Sequence, residues 1–234
     1  MPDDPVLLIT GASSGIGAAT ARAASEAGYR VALGARRKRE LDKLARELGG
    51  ADRALAHSCD VTDWSDVEGL TEDALSRFGR LDAVFANAGF GATRGFLEES
   101  VEHWRAMIDT NVLGVALTIR ATLPHLLDRG TGHYVLTSSI AGRRVLPGSL
   151  YSATKFAASA ISEALRQELR RMHDNANIRV TLIAPGMTDT EFFDQRPDDA
   201  LAPDDVARAV LYALSQPPHV DVNEIVLRPT SQAG

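Results

Sequence analysis

The feature that most constrains this chain is an alternation. Apolar runs at residues 6–9, 30–35, 54–59, 81–86, 134–137, 178–183 and 224–227 are separated by helical patterns at 18–27, 40–48, 64–78, 101–127, 151–172 and 203–215. Runs with so little polar interruption suit strands buried on both faces. Strands and helices that alternate in this way predict an α/β fold: a Rossmann-type doubly wound parallel sheet of about seven strands with helices on both faces. The 234 residues, 44% hydrophobic and 24% charged, suffice for one such domain over 1–234, and no internal repeat or linker divides them.

Ligands of doubly wound sheets bind at the carboxyl ends of the strands, and the distinctive residues of this chain collect there. The first run leads into Thr10-Gly11-Ala12-Ser13-Ser14-Gly15-Ile16-Gly17 and then a helix. Strand, glycine turn and helix together aim backbone N–H groups and a helix N-terminus at a pyrophosphate, with no Cβ in the way. Gly11, Ser13, Ser14, Gly15, Ile16 and Gly17 are therefore candidate cofactor residues, although a glycine turn can also be a plain loop. The same stretch matches the G-x-S-x-G pattern of a hydrolase nucleophile, but no earlier strand exists to supply an oxyanion loop.

At the end of the second run, an acidic residue would select NAD by accepting the ribose hydroxyls. The chain has Ala35 there, followed by Arg36 and Arg37. Guanidinium groups grip a 2′-phosphate in charge-assisted pairs, which points to NADP; the plainer alternative is a solvated basic start to the next helix. Asp60-Val61, Asn87-Ala88-Gly89, Ser138-Ser139 and Pro185-Gly186 follow the third to sixth runs.

Tyr151 and Lys155 stand four apart at the start of a predicted helix, so they share one face. A phenol ordinarily titrates near pH ~10. A neighbouring ammonium favours the phenolate and predicts a lowered value, giving a general acid/base; such pairs are also common as neighbours on a solvated helix face. Asn111 lies within an apolar part of the 101–127 helix and needs a partner. That partner is a backbone group, or the helix is kinked there and offers a carbonyl to a water.

Other classes are disfavoured. The net charge of −6 argues against a nucleic-acid surface, and six scattered histidines lack ligand spacing. A lone cysteine, Cys59, suits a reducing cytoplasm. The first residues do not resemble a signal peptide, and the apolar stretch 112–119 is too short to span a bilayer. The expectation is a soluble cytoplasmic protein with no metal, nucleic-acid or membrane partner.

Taken together, the glycine turn, Asp60-Val61, Asn87-Ala88-Gly89, Asn111, Ser139, Tyr151-Ser152-Ala153-Thr154-Lys155 and Pro185-Gly186 resemble the short-chain dehydrogenase/reductase family in its single-domain form. The resemblance implies an NADP(H)-dependent oxidoreductase that interconverts a secondary alcohol and a carbonyl. Tyr151 would exchange the proton, Lys155 would tune it and bind the nicotinamide ribose, Ser139 would position the substrate oxygen and Asn111 would anchor a relay water. Asp60 and Val61 would meet the adenine, and Asn87, Ala88 and Gly89 the adenosine ribose. After Pro185 and Gly186, Thr188 and Thr190 would hold the carboxamide, and Arg36, with Arg37 beside it, would read the 2′-phosphate. The family also implies a homotetramer or homodimer built through the 111–127 and 151–172 helices.

Two departures bear on the substrate end. The family's usual serine-to-tyrosine spacing is one residue longer and would select Ser138; the local Ser-Ser-Ile-Ala-Gly pattern selects Ser139. The substrate-side segment, 187–202, is short. The C-terminus is similar to the NADP-dependent 3-hydroxy acid (serine/allo-threonine) dehydrogenase branch. Two substrate readings stand open: a carboxylate clamped by Arg94, Arg143 or Arg144, or bulky neutral carbonyls in an open cleft. A non-catalytic NADP-sensing protein of the same fold is the alternative of a different class.

Overall fold

The computed structural model describes residues 4–92, 95–173, 177–191 and 199–232. Seven strands, β1 (Val6–Thr10), β2 (Arg30–Ala35), β3 (Ala54–Ser58), β4 (Ala83–Ala86), β5 (Gly132–Thr137), β6 (Ile178–Pro185) and β7 (Glu224–Leu227), form one sheet in the order β3-β2-β1-β4-β5-β6-β7. Every pairing is parallel. The strand order reverses between β1 and β4, so the two halves diverge there and leave a crevice above their carboxyl ends.

The helices are α1 (Gly15–Glu26), α2 (Lys38–Glu47), α3 (Trp64–Phe78), α4 (Val101–Ile108), α5 (Gly114–Arg129), α6 (Tyr151–Arg171) and α7 (Pro203–Leu214). Side chains alternate along β1. Val6 and Leu8 pack with α3, α5 and α6, through residues such as Leu70, Ile119 and Leu165. Leu7 and Ile9 pack with α1, α2 and α7, through Ala21, Leu41 and Val210. All five β1 residues are buried, as strands covered on both faces must be.

Element ends moved for local reasons. β4 starts at Ala83 rather than residue 81; just before it the Asp82 carboxylate accepts the Val6 N–H at 2.8 Å and is held by Arg80 and Arg129. α1 begins at Gly15, since the last part of the glycine turn is already helical. The stretch expected as one helix is continuous but carries a π-helical turn, Asp109–Leu113, around Asn111. Over Val101–Arg129 this stretch has the length and apolar character of a membrane span. Here Val115, Thr118, Ile119, Thr122 and Leu126 are buried, and α5 packs against α3 and β4 as a core helix.

Candidate active site

A cleft of about 760 Å³ opens above the carboxyl ends of the strands, where β1 and β4 part. Its floor is the glycine turn. Gly11 and Gly15 adopt φ of 68° and 51°, in the left-handed region that side chains disfavour. A Cβ on Gly17 would collide with the Gly11 carbonyl, so the helix can start this close to the turn only with glycine there. Ser14, the residue before α1, makes no side-chain cap, and the first turn holds no acidic residue. The amides of that turn are thus left for an anion. A pyrophosphate fits this cradle.

Asn87 holds the crevice together. Its Nδ2 donates to the Thr10 and Gly11 carbonyls at 3.2 and 3.4 Å, and its Oδ1 accepts from the Thr137 hydroxyl at 3.2 Å. One side chain thereby ties the ends of β1, β4 and β5. Ala88, Gly89, Val61 and Asp60 complete this wall. The Asp60 carboxylate also accepts from the Thr62 N–H and hydroxyl at 3.0 and 2.8 Å.

Both arginines after β2 line the cleft. Arg36 is exposed, and its side chain forms no hydrogen bond or ion pair among the described residues. Arg37 is the anchored one: it donates to the hydroxyls of Ser13 at 3.2 Å and Ser14 at 2.5 Å, and pairs with Glu191 at 2.8 Å. The sequence ranked Arg36 first because position alone shows no partners.

At the other end of the cleft stand Tyr151, Lys155 and Ser139. The Ser139 hydroxyl is near enough to the Tyr151 phenol to favour its ionised form. Ser139 also caps a short 3₁₀ turn, Ile140–Gly142, by accepting the Ala141 N–H at 3.1 Å. Ser138 is turned away, with its hydroxyl donating to the Lys155 carbonyl at 2.9 Å inside the protein. The Lys155 ammonium donates to the Thr137 carbonyl at 3.3 Å and lies 5.8 Å from the centre of the Tyr151 ring.

The expected lowering of the tyrosine pKa is not present in the protein by itself. Burial pushes the Tyr151 phenol up to about 12, against the opposing effect of the Ser139 hydroxyl. Burial likewise pulls Lys155 down to about 8. The ammonium sits over the ring face rather than at the phenol oxygen, so desolvation outweighs it.

Gly17 and Asn111 depart from the predicted site in another way: neither lines the cleft. Gly17 packs behind the turn. Asn111 is buried, accepting the Phe90 N–H at 3.0 Å and donating to the Phe90 carbonyl at 2.9 Å and to Thr154 Oγ1 at 3.1 Å. The Asn111 side chain therefore has the backbone partner expected of it, and its helix widens there into the π turn. Pro185, Gly186, Thr188 and Thr190 all reach the cleft, Thr190 close over Gly15.

The substrate end is apolar, with Phe90, Leu146, Pro147 and Met187 among its lining. Arg143 is drawn off to Glu224, Arg144 is exposed outside the cleft wall, and Arg94 lies outside the described residues. Sequence reasoning missed two groups here. Glu99, buried, accepts from Trp104 Nε1 at 3.0 Å and from the Ser149 hydroxyl, which fixes the loop entering α6. Gln232 joins the cleft from the C-terminal turn. Burial of Cys59, with the nearby carboxylates of Asp66, Asp60 and Asp63, pushes its thiol up to about 12, which removes it as a nucleophile. Among the described residues no cluster of three His, Cys, Asp or Glu is placed to hold a metal.

Fold and cleft together define a single-sheet Rossmann-type α/β oxidoreductase scaffold. The sequence model of the short chain dehydrogenase family matches residues 5–200, and the chain belongs to that family. It is 40% identical over 244 residues to an uncharacterized oxidoreductase of Staphylococcus saprophyticus, covering 98% of both chains. Among solved structures it resembles an alcohol dehydrogenase from the archaeon Thermococcus sibiricus complexed with 5-hydroxy-NADP (37% identity, TM-score 0.89, 98% of both chains). A serine dehydrogenase complexed with NADP+ is 33% identical, with TM-score 0.90 and coverage of 98% of this chain and 96% of that one. A 3-ketoacyl-(acyl-carrier-protein) reductase from Brucella melitensis, complexed with NADH, is 29% identical, with TM-score 0.87 and 97% of both chains covered.

Proposed function

We propose that this oxidoreductase uses NADP(H) to interconvert a secondary alcohol and a carbonyl, with Tyr151 as the acid/base. The observation that carries the reading is the convergence of Ser139, Tyr151 and Lys155, the ammonium beside the ring, at one end of a cleft whose other end is a phosphate cradle. When bound, the cofactor supplies or takes up the hydride. Ser139 orients the substrate oxygen, and the phenol of Tyr151 gives it a proton during reduction. A phenol that burial keeps protonated is ready for that direction; alcohol oxidation needs the phenolate and is favoured by higher pH. Lys155, charged below about pH 8, holds the Thr137 carbonyl and presents positive charge to the ring.

NADP is favoured over NAD by Ala35, standing where a ribose-binding carboxylate would be, with Arg36 and Arg37 directly after it, and by the NADP forms named with two of the solved relatives. For the substrate we favour bulky neutral carbonyls over carboxylates, since Arg143 is engaged elsewhere and the lining is apolar. Exposed Ile108, Leu113 and Phe156 on α4 to α6 support assembly as a homo-oligomer. The buried lone thiol fits a reducing cytoplasmic setting.

The test is a panel of ketones, aldehydes, serine and 3-hydroxy acids assayed with NADP(H) and NAD(H). Turnover of neutral carbonyls with NADPH is expected. Tight cofactor binding without turnover on any member would instead favour the sensing role, and faster turnover of the hydroxy acids would overturn the substrate assignment.

A further inference from the structure

The C-terminal turn supplies a wall of the cleft. After β7 the chain doubles back, the Gln232 N–H donating to the Pro229 carbonyl at 3.0 Å. Its side chain returns to the end of β6, where Gln232 Oε1 accepts the Met187 N–H at 3.0 Å. The orientation of this amide is fixed by its partner, because a backbone N–H must meet the oxygen rather than the NH2 group. One residue earlier, the Gly186 N–H donates to the Leu227 carbonyl at 2.8 Å. A side chain at Gly186 would collide with Gln232 Oε1, so the glycine admits the glutamine.

The segment held in this way lies between the reacting groups and the chain end. The Pro185 carbonyl is 3.4 Å from the Ser139 hydroxyl, the Thr188 hydroxyl donates to the Gly186 carbonyl at 3.1 Å, and Met187 lines the substrate end. We infer that Gln232 is a positioning residue: by accepting the Met187 N–H it sets the Pro185–Thr188 backbone against Ser139 and Tyr151, and so governs alignment for the chemical step. This rests on the oxidoreductase reading above. Misplacing such a wall by a fraction of an ångström weakens alignment at the reacting atoms while the phosphate cradle stays intact.

Three variants of the full chain separate the possibilities. Gln232→Met keeps the length of the side chain and removes the acceptor, Gln232→Ala removes both, and Gln232→Glu keeps an acceptor. The first measurement needs no activity: hydrogen exchange of the peptide containing Met187. Exchange at the Met187 amide should quicken at least about tenfold in the Met and Ala variants and stay near wild type in the Glu variant. The second is kinetic: kcat/KM for the best carbonyl should fall about tenfold or more in Met and Ala, with an enlarged deuterium isotope effect from labelled NADPH, and recover in Glu. NADPH affinity by fluorescence should fall less than kcat/KM does, since the phosphate cradle is untouched and only the carboxamide contacts of this segment are loosened. Unchanged exchange in Gln232→Met would overturn the contact, and normal kcat/KM despite quickened exchange would overturn the positioning role. A wild-type protein that turns over no carbonyl would defeat the functional reading instead, while the exchange measurement still decides the contact.

Discussion

Arg37 and Glu191 form an ion pair at 2.8 Å, joining the end of β2 to the segment after β6 on the wall of the cleft. Both side chains are largely exposed, so the pair itself contributes on the order of 0–1 kcal/mol. A 2′-phosphate would compete with Glu191 for the same guanidinium. Glu191→Gln is therefore expected to tighten NADPH by about two- to fivefold, with NADH little changed. Arg36→Ala should weaken NADPH by roughly 1.5–3 kcal/mol and spare NADH, and Arg37→Ala, which also frees Ser13 and Ser14, should weaken both. Titration of each variant with the two cofactors decides this; equal losses for both cofactors in Arg36→Ala would mean that Arg36 does not read the phosphate.

Removal of the Tyr151 hydroxyl alone tests the acid/base. Tyr151→Phe is expected to lose turnover by at least about three orders of magnitude while binding NADPH within a factor of about two. Because burial holds the phenol near 12, carbonyl reduction by the wild type should be flat through neutral pH, and alcohol oxidation should climb as pH rises. A reduction rate near wild type in the Phe variant would end the mechanism.

The two adjacent serines should behave differently. Ser139→Ala removes the hydroxyl beside Tyr151 at the cleft end and is expected to lower kcat by about a hundredfold with little change in melting temperature. Ser138→Ala removes one of the donors to the buried Lys155 carbonyl, which keeps the Ser159 hydroxyl, and should cost about 1 kcal/mol of stability while activity persists. Activity loss confined to the Ser138 variant would reverse the assignment.

His133 sets an acid limit. Its Nε2 lies 2.8 Å from Thr181 Oγ1, and burial, aided by Arg179, pulls its pKa down to about 3. Unfolded, it would titrate near ~6.5, so between these values the unfolded chain binds the extra proton. Stability therefore falls as pH drops below about 6.5, by roughly 1 kcal/mol per unit from this group. His133→Gln should flatten that slope in urea melts at pH 4.5–6.5, whatever it costs at neutral pH.

What could be read in the sequence and what could not divide along a physical line. β1 and β2 were legible because parallel strands buried on both faces are written as unbroken apolar runs. The glycine turn was legible because backbone conformation restricts residue type locally. Asn111 was visible as an oddity, since a buried amide inside an apolar helix demands a partner, but the partner, Phe90, is twenty-one positions away. Gln232 with Met187, and Glu99 with Ser149, are pairs separated by 45 and 50 positions. Such pairs leave no periodicity. The upward push of burial on Tyr151 in the protein alone was not legible, because neighbour charge is evident from spacing whereas burial is a property of the whole fold.

The π turn at Asp109–Leu113 gives the helix one surplus residue. A single insertion advances the angular phase of everything beyond it by about 100°, so α4 and α5 follow two separate heptad-like frames although the backbone runs on. Deleting one residue there would let the wide turn relax into an ordinary α-helix with better-matched hydrogen bonds. The shortened chain would hold its helix more firmly and carry Asn111 off Phe90, trading a gain in thermal resistance for the loss of the wall behind Gly89.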